Sequence, residues 1–215
     1  MVMVLGIDEA GRGPVIGPMI ISGVLIEENK ISDLIEIGVK DSKELSRKKR
    51  EEIFEKLIKL VEKYEYILID PKTIDYYVYK NKLNYLEINN MINIIKKLRP
   101  DKVYIDSPSR NTKKIEEYIK NHLDYNPILI VDVKADKKYP IVSAASIISK
   151  VIRDKKIDEI KEKTGIDIGS GYPSDPKTIK AIEEYYDILK DYIRESWSTI
   201  KKIKEKKQRN ISEFL

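Results

Sequence analysis

A chain of 215 residues, 41% hydrophobic and 36% charged, is long enough to bury a core and suits one domain, or one domain with an appendage. It has no cysteine and a single histidine, His122, which excludes disulfides, thiolate zinc sites, a histidine metal site and an unaided Ser-His relay, so any bound metal is held by oxygen. The net charge of +5 points weakly to a polyanionic partner; with no apolar run of membrane-spanning length and no signal peptide, the expected location is the cytoplasm.

Residues 1–7 form a short, partly β-branched run closed by Gly6 and Gly11, which predicts a strand. Residues 15–26 are similar, with Gly17, Pro18 and Gly23 as interruptions that a helix tolerates badly, and predict a returning strand. Asp8 and Glu9 therefore sit beside a hairpin connection on a strand expected to be central. Two charges there cost stability unless something binds them. Residues 31–37 show no clear pattern. Ser46 predicts the cap of a helix running to about Lys63, residues 66–69 a strand stopped by Asp70-Pro71, and residues 83–98 a second amphipathic helix. Then come a strand at 102–105 ending at Asp106, a helix at 113–122, a strand at 128–133 and a long helix from about Pro140 to Lys163. A glycine-rich loop and helices near 176–190 and 197–207 complete the series. Strands alternating with helices after an opening hairpin predict an α/β domain whose mixed sheet starts antiparallel and continues in parallel. The last helices, with Tyr185, Tyr186, Tyr192 and Trp197, look like a small helical appendage.

Gly11, Gly13 and Gly17 follow a strand, as in a dinucleotide-binding turn, but Pro14, Gly17-Pro18 and the β-branched run argue against the helix such a turn must open. Asp8 and Glu9 would also repel a pyrophosphate. A better reading is that the acids hold hard divalent cations such as Mg²⁺ or Mn²⁺, which prefer oxygen ligands. The bland alternative, a solvated surface turn, leaves the glycines unexplained. In open α/β sheets the site lies beyond the carboxyl ends of strands, which adds Asp70, Asp106, Asp132 and Asp136 as candidates. Each has a plain turn or cap role as an alternative, and spacing alone does not choose between Asp132 and Asp136. Successive strand side chains point to opposite faces, so bringing Asp8 and Glu9 to one site requires a bulge or the end of the strand.

The stretch GIDEAGRGPVIGP, residues 6–18, resembles the opening of ribonuclease HII, the type 2 ribonuclease H family. DSKEL (41–45), VYID (103–106), KAD (134–136), SAASIISK (143–150) and GSGYPSDP (169–176) fall in the family's order, and the resemblance spans residues 1 to about 180. It implies a ribonuclease H-like α/β fold, with a mixed sheet flanked by helices, over 1–175, followed by the helical appendage at 176–207. It also implies a metal-dependent endonuclease that hydrolyses RNA in RNA-DNA duplexes, leaving 5′-phosphate and 3′-hydroxyl ends. The family's catalytic acids map onto Asp8, Glu9, Asp106 and Asp136, which would hold two Mg²⁺ or Mn²⁺ ions. By the same resemblance Tyr172 stacks at the sugar of a ribonucleotide and, with Gly11, Arg12 and Gly13, recognises an RNA-DNA junction, allowing cleavage at a single ribonucleotide embedded in DNA. Glycines suit that task because a backbone without side chains approaches a 2′-hydroxyl closely. Arg12 and Lys43 are the best candidates for phosphate contacts, with Lys150 and Arg153 further back. Ser143, Ala144, Ala145 and Ser146 are expected to let their helix pack closely on the sheet.

The chain ends QRNISEFL. Gln208, Ile211, Phe214 and Leu215 resemble the peptide by which replication proteins bind a sliding clamp, with a leucine where a second aromatic is common. The tail, 208–215, is thus expected to be partner-binding; packing on its own domain is the alternative. A non-catalytic, clamp-tethered binder of nucleic acid is the second reading of the whole chain, and a dinucleotide-binding oxidoreductase the third. A monomer is expected.

Overall fold

In a computed structural model the described residues are 1–212, with side chains described through 206. Five strands, β1 (Met3–Ala10), β2 (Met19–Glu27), β3 (Lys63–Ile69), β4 (Lys102–Asp106) and β5 (Ile128–Asp132), form one sheet in the order β3-β2-β1-β4-β5. β1 is central, antiparallel to β2 and parallel to β4, and β4 is parallel to β5. This is the mixed α/β sheet that the alternation of patterns predicts. Its helices are α1 (Ile31–Glu36), α2 (Arg47–Leu60), α3 (Pro71–Tyr79), α4 (Leu83–Leu98), α5 (Thr112–Asn121), α6 (Pro140–Thr164), α7 (Pro176–Leu189) and α8 (Ser198–Ser212). No helix among the described residues is long and apolar enough to cross a membrane.

Three elements depart from the sequence reading. β2 begins at Met19 because the N–H groups of Val15 and Ile16 bond to Gly171 O, and that of Gly17 to Tyr192 O, instead of to β1. Asp70-Pro71 is a helix start as well as a strand stop. Asp70 accepts from both the N–H and the hydroxyl of Thr73, and Pro71 supplies the preset φ of a first helical turn, so α3 follows at once. Residues 31–36, without a clear pattern in sequence, form a short helix that buries Leu34.

The chain divides into two compact units that interleave along the sequence. The first comprises residues 1–10, 20–68 and 84–152. Val4, Ile20, Val24 and Ile26 of the sheet share one core with Ile53, Phe54 and Leu57 of α2 and with Val142, Ala145 and Ile148 of α6. A Cβ on Gly6 of β1 would lie 2.3 Å from the carbonyl oxygen of Ile141, so only glycine admits the backbone of α6 this close to the central strand. The small residues of that helix do allow close packing: Ser22 of β2 donates its hydroxyl to Ala145 O. The second unit comprises 11–19, 69–83 and 153–215. It is larger than the expected appendage at 176–207, because Val15 and Ile16 are fully buried in a core shared with Ile157, Ile168, Ile182, Ile193 and Ile200.

Candidate active site

Where two parallel strands stop pairing, the next side chain on each comes to one place. The β1–β4 register runs to Ile7 opposite Ile105, so the next residue on each strand is an aspartate, Asp8 and Asp106. Asp8 is 4% exposed. Glu9 joins them: one carboxylate oxygen from each of Asp8, Glu9 and Asp106 lies within 4.8 Å of the others. No bulge is needed, since the β1–β2 register is unbroken through Asp8–Ser22, Glu9–Ile21 and Ala10–Ile20. Instead Glu9 lies past the last β1–β4 rung, where the longer glutamate side chain reaches the group around the open strand end.

Asp136 is 3% exposed in a short 3-10 turn, Ala135–Lys137, entered through Lys134 in the left-handed region at φ 57°. It stands outside the group of three, yet it is close enough to raise the pKa values of both Asp8 and Asp106. Asp132 takes another course. Its carboxylate bonds Lys138 at 2.6 Å and the N–H of Val133, and the Lys138 contact holds its pKa below the ordinary value. Asp70 caps α3.

Crowding these acids makes their ionisation costly. Burial first, and then the Asp106 carboxylate, push Asp8 up to about 8, although hydrogen bonds from the Ser146 hydroxyl and the Glu9 N–H pull it back. Ser146 thus has a polar role beside the packing one expected of it. Burial also raises Asp106, against a 2.6 Å hydrogen bond from the N–H of Ala135. Lys43, in the turn Ser42–Glu44, places Nζ 3.3 Å from Asp136 Oδ2. Partial burial works against its charge, but Asp136, then Asp41 and Asp8, hold its pKa above the usual lysine value. A set of carboxylates that ionises reluctantly on its own fits a divalent cation, which replaces the missing counter-charge and prefers oxygen. His122 has no part in it, stacked on Tyr118 and bonded to that residue's carbonyl.

The two glycine loops belong to the second unit. Gly11 has φ 86°, and a Cβ there would meet the Arg153 side chain at 2.6 Å. Arg12 is half-buried and Gly13 exposed. Tyr172 is half-buried, with its ring 3.9 Å from where a Cβ on Gly13 would lie, so the two loops meet at that point. Arg153, expected as a distant phosphate contact, is instead 1% exposed. Its guanidinium donates to Ile16 O and Ser170 O and lies 5.0 Å from the Tyr172 ring centroid, tying one loop to the other. Lys150 is half-buried on α6. Phe214 and Leu215 lie outside the described residues. The backbone of Gln208 and Ile211 continues α8, and their side chains also lie outside what is described.

The sequence reading missed Ser146 as a partner of Asp8 and gave Arg194, also fully buried, no role at all. One arginine among 41 basic residues carries no signal of its own.

Known proteins share the sequence pattern and the fold of this chain. The family model for Ribonuclease HII matches residues 5–200. A curated Ribonuclease HII from Thermococcus sibiricus is 47% identical over 220 residues, covering 98% of this chain and 97% of that protein. The crystal structure of ribonuclease H2 from Pyrococcus horikoshii OT3 is similar with a TM-score of 0.87 and 44% identity, covering 95% of this chain and 98% of the other. A PCNA:RNase HII complex from Archaeoglobus fulgidus contains a chain similar with a TM-score of 0.84 and 36% identity, covering 93% and 96%.

Proposed function

We propose, since the chain belongs to the ribonuclease HII family, that its carboxylates and glycine loops serve to cut DNA duplexes on the 5′ side of a single embedded ribonucleotide, as well as long hybrids. Membership makes the chain a metal-dependent endoribonuclease that hydrolyses RNA in RNA-DNA hybrids. The observation that supports metal-dependent cleavage is the group of three carboxylates, the nearly buried Asp8 with Glu9 and Asp106, whose crowding favours a bound cation. Asp8, Glu9, Asp106 and Asp136 would hold two Mg²⁺ or Mn²⁺ ions. Such ions, when bound, make an attacking water a stronger nucleophile and offset the charge that develops on the leaving 3′ oxygen.

The chain's own residues do the rest. The hydrogen bond from Ala135 N–H fixes the Asp106 carboxylate, and those from Ser146 and Glu9 fix Asp8, so both are oriented before anything binds. Lys43, charged at neutral pH and 74% exposed along its side chain, offers a cation to the phosphate. Gly11, Arg12 and Gly13 present backbone to the ribose, and Tyr172, supported from behind by Arg153, stacks at the sugar. We further propose that residues 208–215 bind the replication sliding clamp, by analogy with the Archaeoglobus fulgidus complex. A monomer working on DNA in the cytoplasm fits these partners.

An end-labelled DNA duplex carrying one ribonucleotide, incubated with Mg²⁺ or Mn²⁺ and with chelator beside an all-DNA control, tests the reading. A metal-dependent cut 5′ to the ribonucleotide, absent from the control, is the expected result. Cleavage of a long hybrid alone would discard the single-ribonucleotide reading.

A further inference from the structure

Every hydrogen bond described for the Arg194 side chain ends on a main-chain carbonyl of the first glycine loop. Nε and Nη2 donate to Gly17 O at 3.0 and 2.9 Å, Nη2 also to Gly11 O at 2.6 Å, and Nη1 to Arg12 O at 3.1 Å. Trp197 completes the set, its indole Nε1 donating to Gly13 O at 3.1 Å while its ring lies 5.0 Å from the Arg194 guanidinium. The segment that carries both side chains is itself held. Arg194 N–H donates to Val15 O, and Asp75 of α3 accepts from the N–H groups of Glu195 and Ser196 and from the Ser196 hydroxyl.

Burying a guanidinium among carbonyls is expensive. Burial, and then the neighbouring charge of Arg153, push Arg194 down to about 9. Its partners are main-chain carbonyls, which no substitution removes, so the donors must come from a side chain or the carbonyls are left unpaired. An apolar side chain would not hold the carbonyls. Only a planar fork of donors engages three of them in fixed directions at once.

The direction of those carbonyls decides what the turn shows on its other side. The peptide bonds are trans, so each N–H points opposite to the carbonyl of the residue before it. With the carbonyls of Gly11 and Arg12 aimed at Arg194, the N–H groups of Arg12 and Gly13 are aimed away from it. We propose that Arg194 is a positioning residue for substrate selection: by holding these carbonyls it points two backbone donors at the 2′-hydroxyl of the ribonucleotide. This rests on the function proposed above. Trp197 does the same for the Gly13 carbonyl and so limits the turn's freedom at its far end.

The test is steady-state cleavage of a one-ribonucleotide duplex and of a long RNA-DNA hybrid by the full chain, by Arg194→Lys and by Trp197→Phe, with the melting temperature of each. Lysine keeps the charge but, as a point donor, cannot span three carbonyls. Arg194→Lys is expected to raise KM for the one-ribonucleotide duplex about tenfold, with a smaller rise for the long hybrid and little change in kcat. Trp197→Phe, which keeps an aromatic ring of smaller size and loses one donor, should shift the same ratio by less. An unchanged KM in folded Arg194→Lys, or an equal loss on both substrates that follows the folded fraction, overturns the proposal. Should Arg194→Lys not fold, the ratio measured with Trp197→Phe decides. If the unaltered protein leaves the one-ribonucleotide duplex intact, the function reading fails by itself, and Arg194 is then judged on its KM for the long hybrid.

Discussion

Asp8 is held in a place where its charged form is unwelcome, and the pH dependence of stability should show it. Its pKa is about 8 in the fold against an ordinary 3.8, so between those values the folded chain keeps a proton that the unfolded chain has lost. Stability from this group is therefore fully present below about pH 4 and is lost as pH rises toward 8, by at most about 1.4 kcal/mol per pH unit. In chelator, the melting temperature should fall between pH 5 and 8; Asp8→Asn should flatten that slope. Divalent cation should raise the melting temperature most at the alkaline end, because binding displaces the proton. A slope identical in both proteins would show that the burial of Asp8 is not felt. The same substitution should abolish cleavage while hybrid binding persists, and preserved turnover would remove Asp8 from the site.

At the scale of elements, the approach of α6 to β1 is set by the absence of one side chain. Gly6→Ala would drive a methyl into Ile141 O, backbone that has no rotamer to escape by, and should cost about 3 kcal/mol in urea unfolding. Because α6 also carries Ser146, activity should fall along with stability; a variant as stable as the parent would mean that the helix shifts freely. The sequence made the long, periodic elements legible. Residues 83–98 read as a helix and are one, since helical spacing of apolar residues survives in any surroundings. α3 was illegible because Asp70-Pro71 ends a strand and begins a helix with the same two residues. In the site, strand ends made Asp106 a candidate beside Asp8, together with Asp70, Asp132 and Asp136, and the family resemblance made the choice among them. Asp132 and Asp136 could not be ranked from spacing alone, because their directions depend on a left-handed turn at Lys134, a non-glycine residue that gives no warning of it. Arg194 was invisible for a different reason: its partners are carbonyls, which every residue possesses.

For the whole molecule, interleaving means that no cut in the chain isolates a unit. A fragment of residues 1–175 would keep Val15 and Ile16 but lose Ile182, Ile193 and Ile200, with which they share a core. It should expose apolar surface and unfold at lower urea than the full chain, and a fragment of unchanged midpoint would show that the remaining contacts suffice. The proposed clamp tail has a separate test: Phe214→Ala should weaken capture of the chain by an immobilised clamp ring about tenfold or more, and undiminished capture would remove the tail from the account. The hydrogen bond from Arg194 to Gly11 joins positions 183 residues apart. In synthesis from the amino end, the turn that follows Asp8 and Glu9 is made 183 residues before Arg194 is added. A nascent chain therefore carries these two acids long before it can shape the turn beside them in sequence, and that turn is completed only once residue 194 has been added.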